Sequence, residues 1–342
     1  MTGAGPRPTL RQVAALAGVS IKTVSRVLNG EPYVNADTAH KVRTAAAQLD
    51  FRPNVLAREL RSGATSTTVG LLIGDLANPF YSRIARGAER ALRERGLLLI
   101  TASTDEDPAL EFALTQDMLN RRVRAMLIVP SADDHRYLEL ERRHGLPVVF
   151  VDRRPTSIVA DVVVIDNESG AREATNHLLR QGHRRIAVVG DLSRLTTHRE
   201  RMAGYQAAMT QAGISDWATY VRTDAHDADA AESLTGDLLD LPIPPTALFT
   251  TNNRTTTGAL RALRALSERE PLRPLPALVG FDDFDLGDVL GVTVIAHDPE
   301  EMGRLAACAA LDRIDGGLHA PRTVVMPTTM VTRGTGERPP PP

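Results

Sequence analysis

Residues 9–29, TLRQVAALAGVSIKTVSRVLN, decide how the rest of the chain is read. Leu10, Val13, Ala14 and Ala17 recur at i, i+3, i+4 and i+7, which is one apolar face of a first helix. Gly18 follows, the residue that enters a left-handed turn at least steric cost. Val19 fills the corner and Ser20 supplies a hydroxyl suited to a helix start. Thr23, Val24, Val27 and Leu28 then continue a second helical pattern. Two short helices joined by a glycine-containing turn form a helix-turn-helix unit. Its second helix turns Ile21, Lys22 and Arg26 outward, flanked by Ser20, Thr23, Ser25 and Asn29. A helix furnished this way fits the DNA major groove, with its first residues at base edges. Hydroxyls and amides beside it suit phosphate oxygens, which set register. A bare helix–glycine–helix is equally compatible with an ordinary surface hairpin.

The fuller pattern AxxAGVSxxTVSRVLN, residues 14–29, is more specific than its periodicity. It resembles the DNA-binding headpiece of the lactose/galactose-repressor family of transcription regulators, and the likeness runs through nearly the whole chain. Charge distribution agrees with a DNA-facing end. The chain carries a formal net charge of −2, yet residues 1–62 hold nine basic and four acidic side chains, +5 there and −7 beyond. Lys22 and Lys41, the two lysines of the sequence, both fall in that segment. A basic head on an acidic body is the pattern expected when one end meets phosphate.

At 342 residues, 42% hydrophobic and 24% charged, the composition is that of an ordinary globular protein of two or three domains. Neither a membrane-length apolar run nor a signal-peptide core is visible, so the expected location is cytoplasmic. Cys308 is the single cysteine, which leaves no disulfide framework and no cysteine metal cluster; neither metal nor cofactor is expected.

After the recognition helix, Pro32 ends the helical run and Asn35 caps a third helix over about 36–49. Val42, Ala45, Ala46 and Leu49 would close a small three-helix core in a headpiece spanning 1–52. Residues 53–66 form the next segment. Pro53 and Asn54 open a short apolar-periodic stretch that Ser62 and Gly63 end, too short to hold as a helix in water by itself. In the family it resembles, this is a hinge helix ordered on DNA, and the resemblance implies minor-groove contacts for Asn54, Ala57 and Leu60. Leu60 would be a wedge between base pairs. The alternative is a linker whose leucines pack on the body.

From residue 67 to 334 the sequence alternates between apolar runs and helical spacing. VGLLI (69–73), LLLI (97–100), AMLIV (125–129), VVFV (148–151) and VVVI (162–165) read as buried parallel strands. A second series comprises RIAVVG (185–190), a strand near Tyr220, TALFT (246–250), ALVGF (277–281) and VTVIA (292–296). Such alternation means a doubly wound α/β body, and two runs of strands mean two similar lobes with a cleft between. The family body resembles a periplasmic sugar-binding protein, two lobes joined by three crossovers. The resemblance implies one lobe from about 67–165 and 297–325 and another from about 166–296 and 326–334. A helix over about 299–316 would return to the first. Residues 335–342, rich in glycine and proline, read as a disordered tail. The tetramer-forming heptad helix of some family members is missing.

Ligands of open α/β sheets bind beyond the carboxyl ends of the strands. Asn78, Phe80 and Tyr81 in DLANPFY come first, with Asn78 as a helix cap and the two aromatics expected at the cleft mouth. Asp152 in VDRR, Arg201 in RMAGY, Asn252 in TTNNRT and Asp282 in GFDD match the family's effector contacts, and their groups suit convergent hydroxyls. A cap or turn role is the alternative for each. The chain departs from the family at TDAHDAD, where an aromatic is common. His226 is the nearest substitute, and His297 in AHDP is a further candidate; either could be an ordinary surface or satisfied histidine.

The sequence lacks the GxSxG, GxxxxGK[ST], HExxH and strand-borne GxGxxG signatures. Together these features predict a homodimeric transcription regulator of the repressor kind. It would bind a near-palindromic operator and answer to a sugar-like effector. The alternative is a small-molecule-binding protein or sugar-modifying enzyme with incidental N-terminal helices.

Overall fold

The computed structural model describes residues 8–28, 32, 34–51 and 66–341, and the chain divides into two compact units at Ser66/Thr67. In the first unit α1 (Leu10–Ala17), α2 (Ile21–Leu28) and α3 (Ala36–Gln48) enclose Val13, Ala14, Val24, Val27, Val42, Ala45 and Ala46. Thr9 caps α1 in a reciprocal box with Gln12. Gly18 then takes φ 66°, a value L side chains resist, and this sharp stop sets the angle between α1 and α2. Ser20 caps α2, its hydroxyl accepting from the Thr23 N–H at 3.1 Å. Asn35 caps α3 through the Asp37 N–H.

The second unit contains two six-stranded sheets. The first joins β1 (Thr68–Ile73), β2 (Leu98–Ser103), β3 (Ala125–Ile128), β4 (Val148–Val151), β5 (Asp161–Ile165) and β11 (Thr323–Met326) in the order β11-β5-β4-β3-β1-β2, all parallel. The second joins β6 (Ile186–Val189), β7 (Val221–Arg222), β8 (Ala247–Thr250), β9 (Ala277–Phe281), β10 (Thr293–Ala296) and β12 (Thr329–Val331) in the order β12-β10-β9-β8-β6-β7. Only β12 runs antiparallel to its neighbour there. The same 2-1-3-4-5 winding thus occurs twice, each with its switch point beside the first strand of the lobe. The ten strands read from the sequence are present, and β11 and β12 join them as short edge strands.

Helices α4 (Pro79–Arg93), α5 (Pro108–Asn120), α6 (Glu139–Arg143) and α11 (Pro299–Ile314) belong to the first lobe, where α11 packs along α4. Helices α7 (Asn167–Arg180), α8 (Thr196–Gln211), α9 (Ala228–Leu239) and α10 (Asn253–Arg269) belong to the second. The backbone crosses between lobes three times: after β5, after β10 and between β11 and β12.

Two expectations are corrected here. The run LLLI is not a buried strand throughout: β2 is the outer strand of its sheet, and Leu98 is exposed. Nor is the C-terminal stretch disordered over the residues described. Thr335 and Gly336 are buried, the Thr335 hydroxyl donates to the Leu278 carbonyl at 2.8 Å, and the His183 ring lies 2.9 Å from the Arg338 carbonyl. Composition signals disorder only when no acceptor or pocket is waiting, and the second lobe provides both.

Candidate functional site

Strand ends of the two lobes face one another across the cleft, and the twofold repeat places matching carboxylates there. Asp152 follows β4 and Asp282 follows β9, the equivalent strands. Both take left-handed backbone angles, φ 67° and 70°. Both donate their N–H to the next strand, Asp152 to Val163 at 2.8 Å and Asp282 to Ile295 at 3.0 Å. A non-glycine residue in that conformation is strained, and such strain concentrates at binding sites.

Around Asp282 the second lobe gathers cations. Arg201 of α8 donates through Nε to Asn167 Oδ1 at 2.8 Å and through Nη1 to the Thr251 carbonyl. Its Nη2 lies 3.5 Å from Asp282 Oδ1, and the guanidinium sits 3.8 Å from the Phe281 ring centroid. His297, following β10, places Nε2 3.8 Å from the same carboxylate oxygen and stacks on Phe80 of α4 at 5.5 Å. Burial pushes the His297 pKa down to about 4, so the ring is neutral near pH 7.

On the first lobe Arg153 is fully engaged. Its Nη1 donates to Glu106 Oε2 at 2.6 Å and to the Pro130 carbonyl at 3.0 Å; Nη2 donates to Glu106 Oε1 at 2.8 Å and Tyr81 Oη at 2.9 Å. Burial alone would raise the Glu106 carboxyl, but this two-pronged guanidinium contact prevails and holds it below the usual range. Gly74 makes the arrangement possible, since a Cβ there would lie 2.1 Å from Glu106 Oε1. Burial pushes the Asp152 carboxyl up to about 6, against the pull of Arg153 and Arg201.

The sequence candidates therefore fall into a central group and a flank. Asp152, Arg201 and Asp282 are each 5% exposed or less, and Phe80 and the His297 ring join them. Phe80 and Tyr81 lie deeper than the cleft mouth expected for them: both are buried, Phe80 against His297 and Tyr81 under Arg153 and Glu106. Asn252 forms the flank. It caps α10 through the Thr255 N–H, and its amide donates to Asp191 Oδ2 at 2.8 Å. His226, half-exposed, lies 3.6 Å from the other Asp191 oxygen, which pushes its pKa up. Asn78 caps α4 and accepts from the Asn253 amide across the cleft at 2.8 Å. Arg254 with Asp75, and Arg194 with the Ser131 and Glu106 carbonyls, bridge the lobes as well.

Sequence reading missed Glu106, Arg153, Asn167 and Asp191. Arg153 carried a signal, because VDRR puts two further charges directly behind a buried strand. Glu106 carried none, since its partners are 47 and 25 residues away. In the first unit, Ile21, Lys22 and Arg26 stand exposed on α2, while Ser20 and Thr23 are partly spent on the cap. Asn29, Asn54, Ala57 and Leu60 lie outside the described residues.

A helix-turn-helix unit followed by a two-lobed α/β binding body defines a ligand-responsive DNA-binding regulator. The comparisons agree. Residues 9–54 match the model of bacterial regulatory proteins of the lacI family, and residues 66–326 match that of periplasmic binding proteins and the sugar-binding domain of the LacI family. The chain belongs to the LacI family of transcriptional regulators. It is 33% identical to the ribose operon repressor of Escherichia coli K12 over 310 residues, 90% of this chain and 93% of that protein. A complex of the transcriptional regulator CelR with cellobiose superposes with TM-score 0.70 at 31% identity, covering 96% of this chain and all of that one. The Lac repressor dimer bound to operator and the anti-inducer ONPF superposes with TM-score 0.80 at 26% identity, covering 97% and 99%.

Proposed function

We propose that the protein is a homodimeric repressor whose operator affinity is set by a small hydroxyl-rich effector held between the lobes, and that it is not an enzyme. One observation carries the effector half. Asp152 Oδ1, Asp282 Oδ1 and both His297 nitrogens are buried and have no hydrogen-bond partner. Buried polar atoms are normally satisfied, because an orphan costs about 1–3 kcal/mol. Four orphans converging on one cleft describe the outline of a missing ligand. Asp152, Arg201, Asp282 and His297 would hold it, with Phe80 beneath. Asn78, Asn252 and His226 would shape the rim; Tyr81 orients Arg153.

On the DNA side, α2 would lie in the major groove with Lys22 and Arg26 toward bases or adjacent phosphates, and Ile21, Ser20, Thr23, Ser25 and Asn29 around them. A hinge over 53–66 would use Asn54, Ala57 and Leu60 in the minor groove. Two copies would read a near-palindrome. The repressors and sugar complex among the relatives support this reading, and a cytoplasmic location follows from it. Among the described residues no helix is long and apolar enough to cross a membrane.

The test selects operator fragments from a random DNA pool with the full chain, then titrates sugars into the protein–DNA complex. Recovery of a palindromic site whose affinity shifts with one sugar is the expected result. A protein that retains no sequence preference at any salt concentration refutes the regulatory reading.

A further inference from the structure

The same cleft carries information about the charge of its ligand, and the inference drawn from it rests on the effector reading above. Its donors and acceptors are unequally committed. Arg153 spends all four Nη hydrogens on Glu106, Tyr81 and Pro130. Arg201 is turned onto Asn167, the Thr251 carbonyl and Asp282. Among the buried orphans on these central residues, two are carboxylate oxygens and two are imidazole nitrogens; the single orphaned donor is Arg153 Nε, 3.5 Å from Asp152 Oδ2. The formal charges lean the same way. Glu106 neutralises Arg153, which leaves Asp152 and Asp282 sharing the one guanidinium of Arg201. Asp191 adds a further carboxylate, largely buried, beside His226 and Asn252.

A phosphate or carboxylate brings only acceptors and negative charge. In this cleft it would meet orphaned acceptors and an excess of carboxylate, with both guanidinium groups facing elsewhere. A neutral polyol brings hydroxyl donors, each able to satisfy one orphan. From this imbalance we propose that the effector is an uncharged polyhydroxylated sugar, bound chiefly as a hydrogen-bond donor to Asp152 and Asp282, and that its phosphorylated and acid forms are rejected. Neutral His297 complements this by accepting one hydroxyl proton at one nitrogen and donating from the other.

Calorimetric titration of the full chain tests the proposal with matched sets: D-ribose, D-glucose, D-galactose and D-fructose, their monophosphate esters, and the corresponding aldonic acids. One neutral sugar is expected to bind, with its phosphate and acid forms at least tenfold weaker. Asp152→Asn and Asp282→Asn, which keep side-chain shape, should each weaken that sugar at least tenfold. A phosphate or aldonate that binds more tightly than its neutral parent overturns the proposal and leaves the effector reading standing. Failure of every compound to bind overturns the effector reading itself and the proposal with it. Retention of wild-type sugar affinity in both Asn variants also overturns the proposal.

Discussion

Asp152→Asn is expected to stabilise the ligand-free protein while removing its effector response. The folded-state Asp152 carboxyl sits at about 6, against an ordinary 3.8, chiefly because burial disfavours its charge. Each pH unit of that difference corresponds to about 1.4 kcal/mol between the two protonation states. Ionising Asp152 inside the folded protein therefore costs about 3 kcal/mol, an upper bound that already contains the attraction of Arg153 and Arg201. The sign follows from proton binding. The folded state holds this proton more tightly than the unfolded chain, so the contribution favours folding below about pH 4. It is lost as pH rises through 6. Asparagine keeps one oxygen in place and never ionises. The variant should match wild type near pH 4 and exceed it by about 1–3 kcal/mol at pH 7.5, a rise in melting temperature on the order of 2–10 °C. Thermal unfolding at both pH values, without ligand, reads this directly. Equal midpoints at pH 7.5, or a variant less stable there, would show that the Asp152 charge is compensated in place and would refute the argument.

The effector site should follow the same titration: neutral-sugar affinity falls as pH drops below 6, because a protonated Asp152 accepts fewer hydroxyl hydrogens, and calorimetry at pH 5 and 7.5 measures it. Glu106→Gln leaves the buried Arg153 charge without its partner, and denaturant unfolding should register a loss of about 3–5 kcal/mol. Gly18→Ala adds a methyl group that meets nothing within 4 Å. Its penalty is therefore conformational alone, about 1–2 kcal/mol in headpiece stability by thermal unfolding. Arg26→Ala should cost about 1–3 kcal/mol of operator affinity and relax preference at one base position, whereas Lys22→Ala would lower the salt slope if it contacts phosphate; fluorescence anisotropy across salt separates them. Leu60→Ala is expected to weaken operator binding and leave sugar affinity of the free protein intact. A parallel fall in both would mean that residues 53–66 do not act as a hinge.

What the sequence determined by itself was everything carried by local pattern. The glycine between two apolar faces, the caps at Thr9, Ser20 and Asn35, and the alternation of apolar runs with helical spacing are short-range signals. A helix or a buried strand is visible within a window of a dozen residues. The same locality made Asp152, Asp282 and His297 legible, because a polar residue directly behind a buried strand must lie at a sheet edge. Tertiary structure decided how those edges are wired. Glu106 meets Arg153, Arg201 meets Asn167, and Phe80 sinks onto His297 because packing two lobes brings together residues that no periodicity relates. β11 and β12 escaped for a related reason: strands of four and three residues at sheet edges are largely exposed and show no apolar run to be read. The tail turned from apparent disorder to a packed strap because the Leu278 carbonyl and the His183 ring await it on the second lobe. Which cleft atoms remain orphaned, and so what the ligand must supply, depends on summing every such partner in three dimensions.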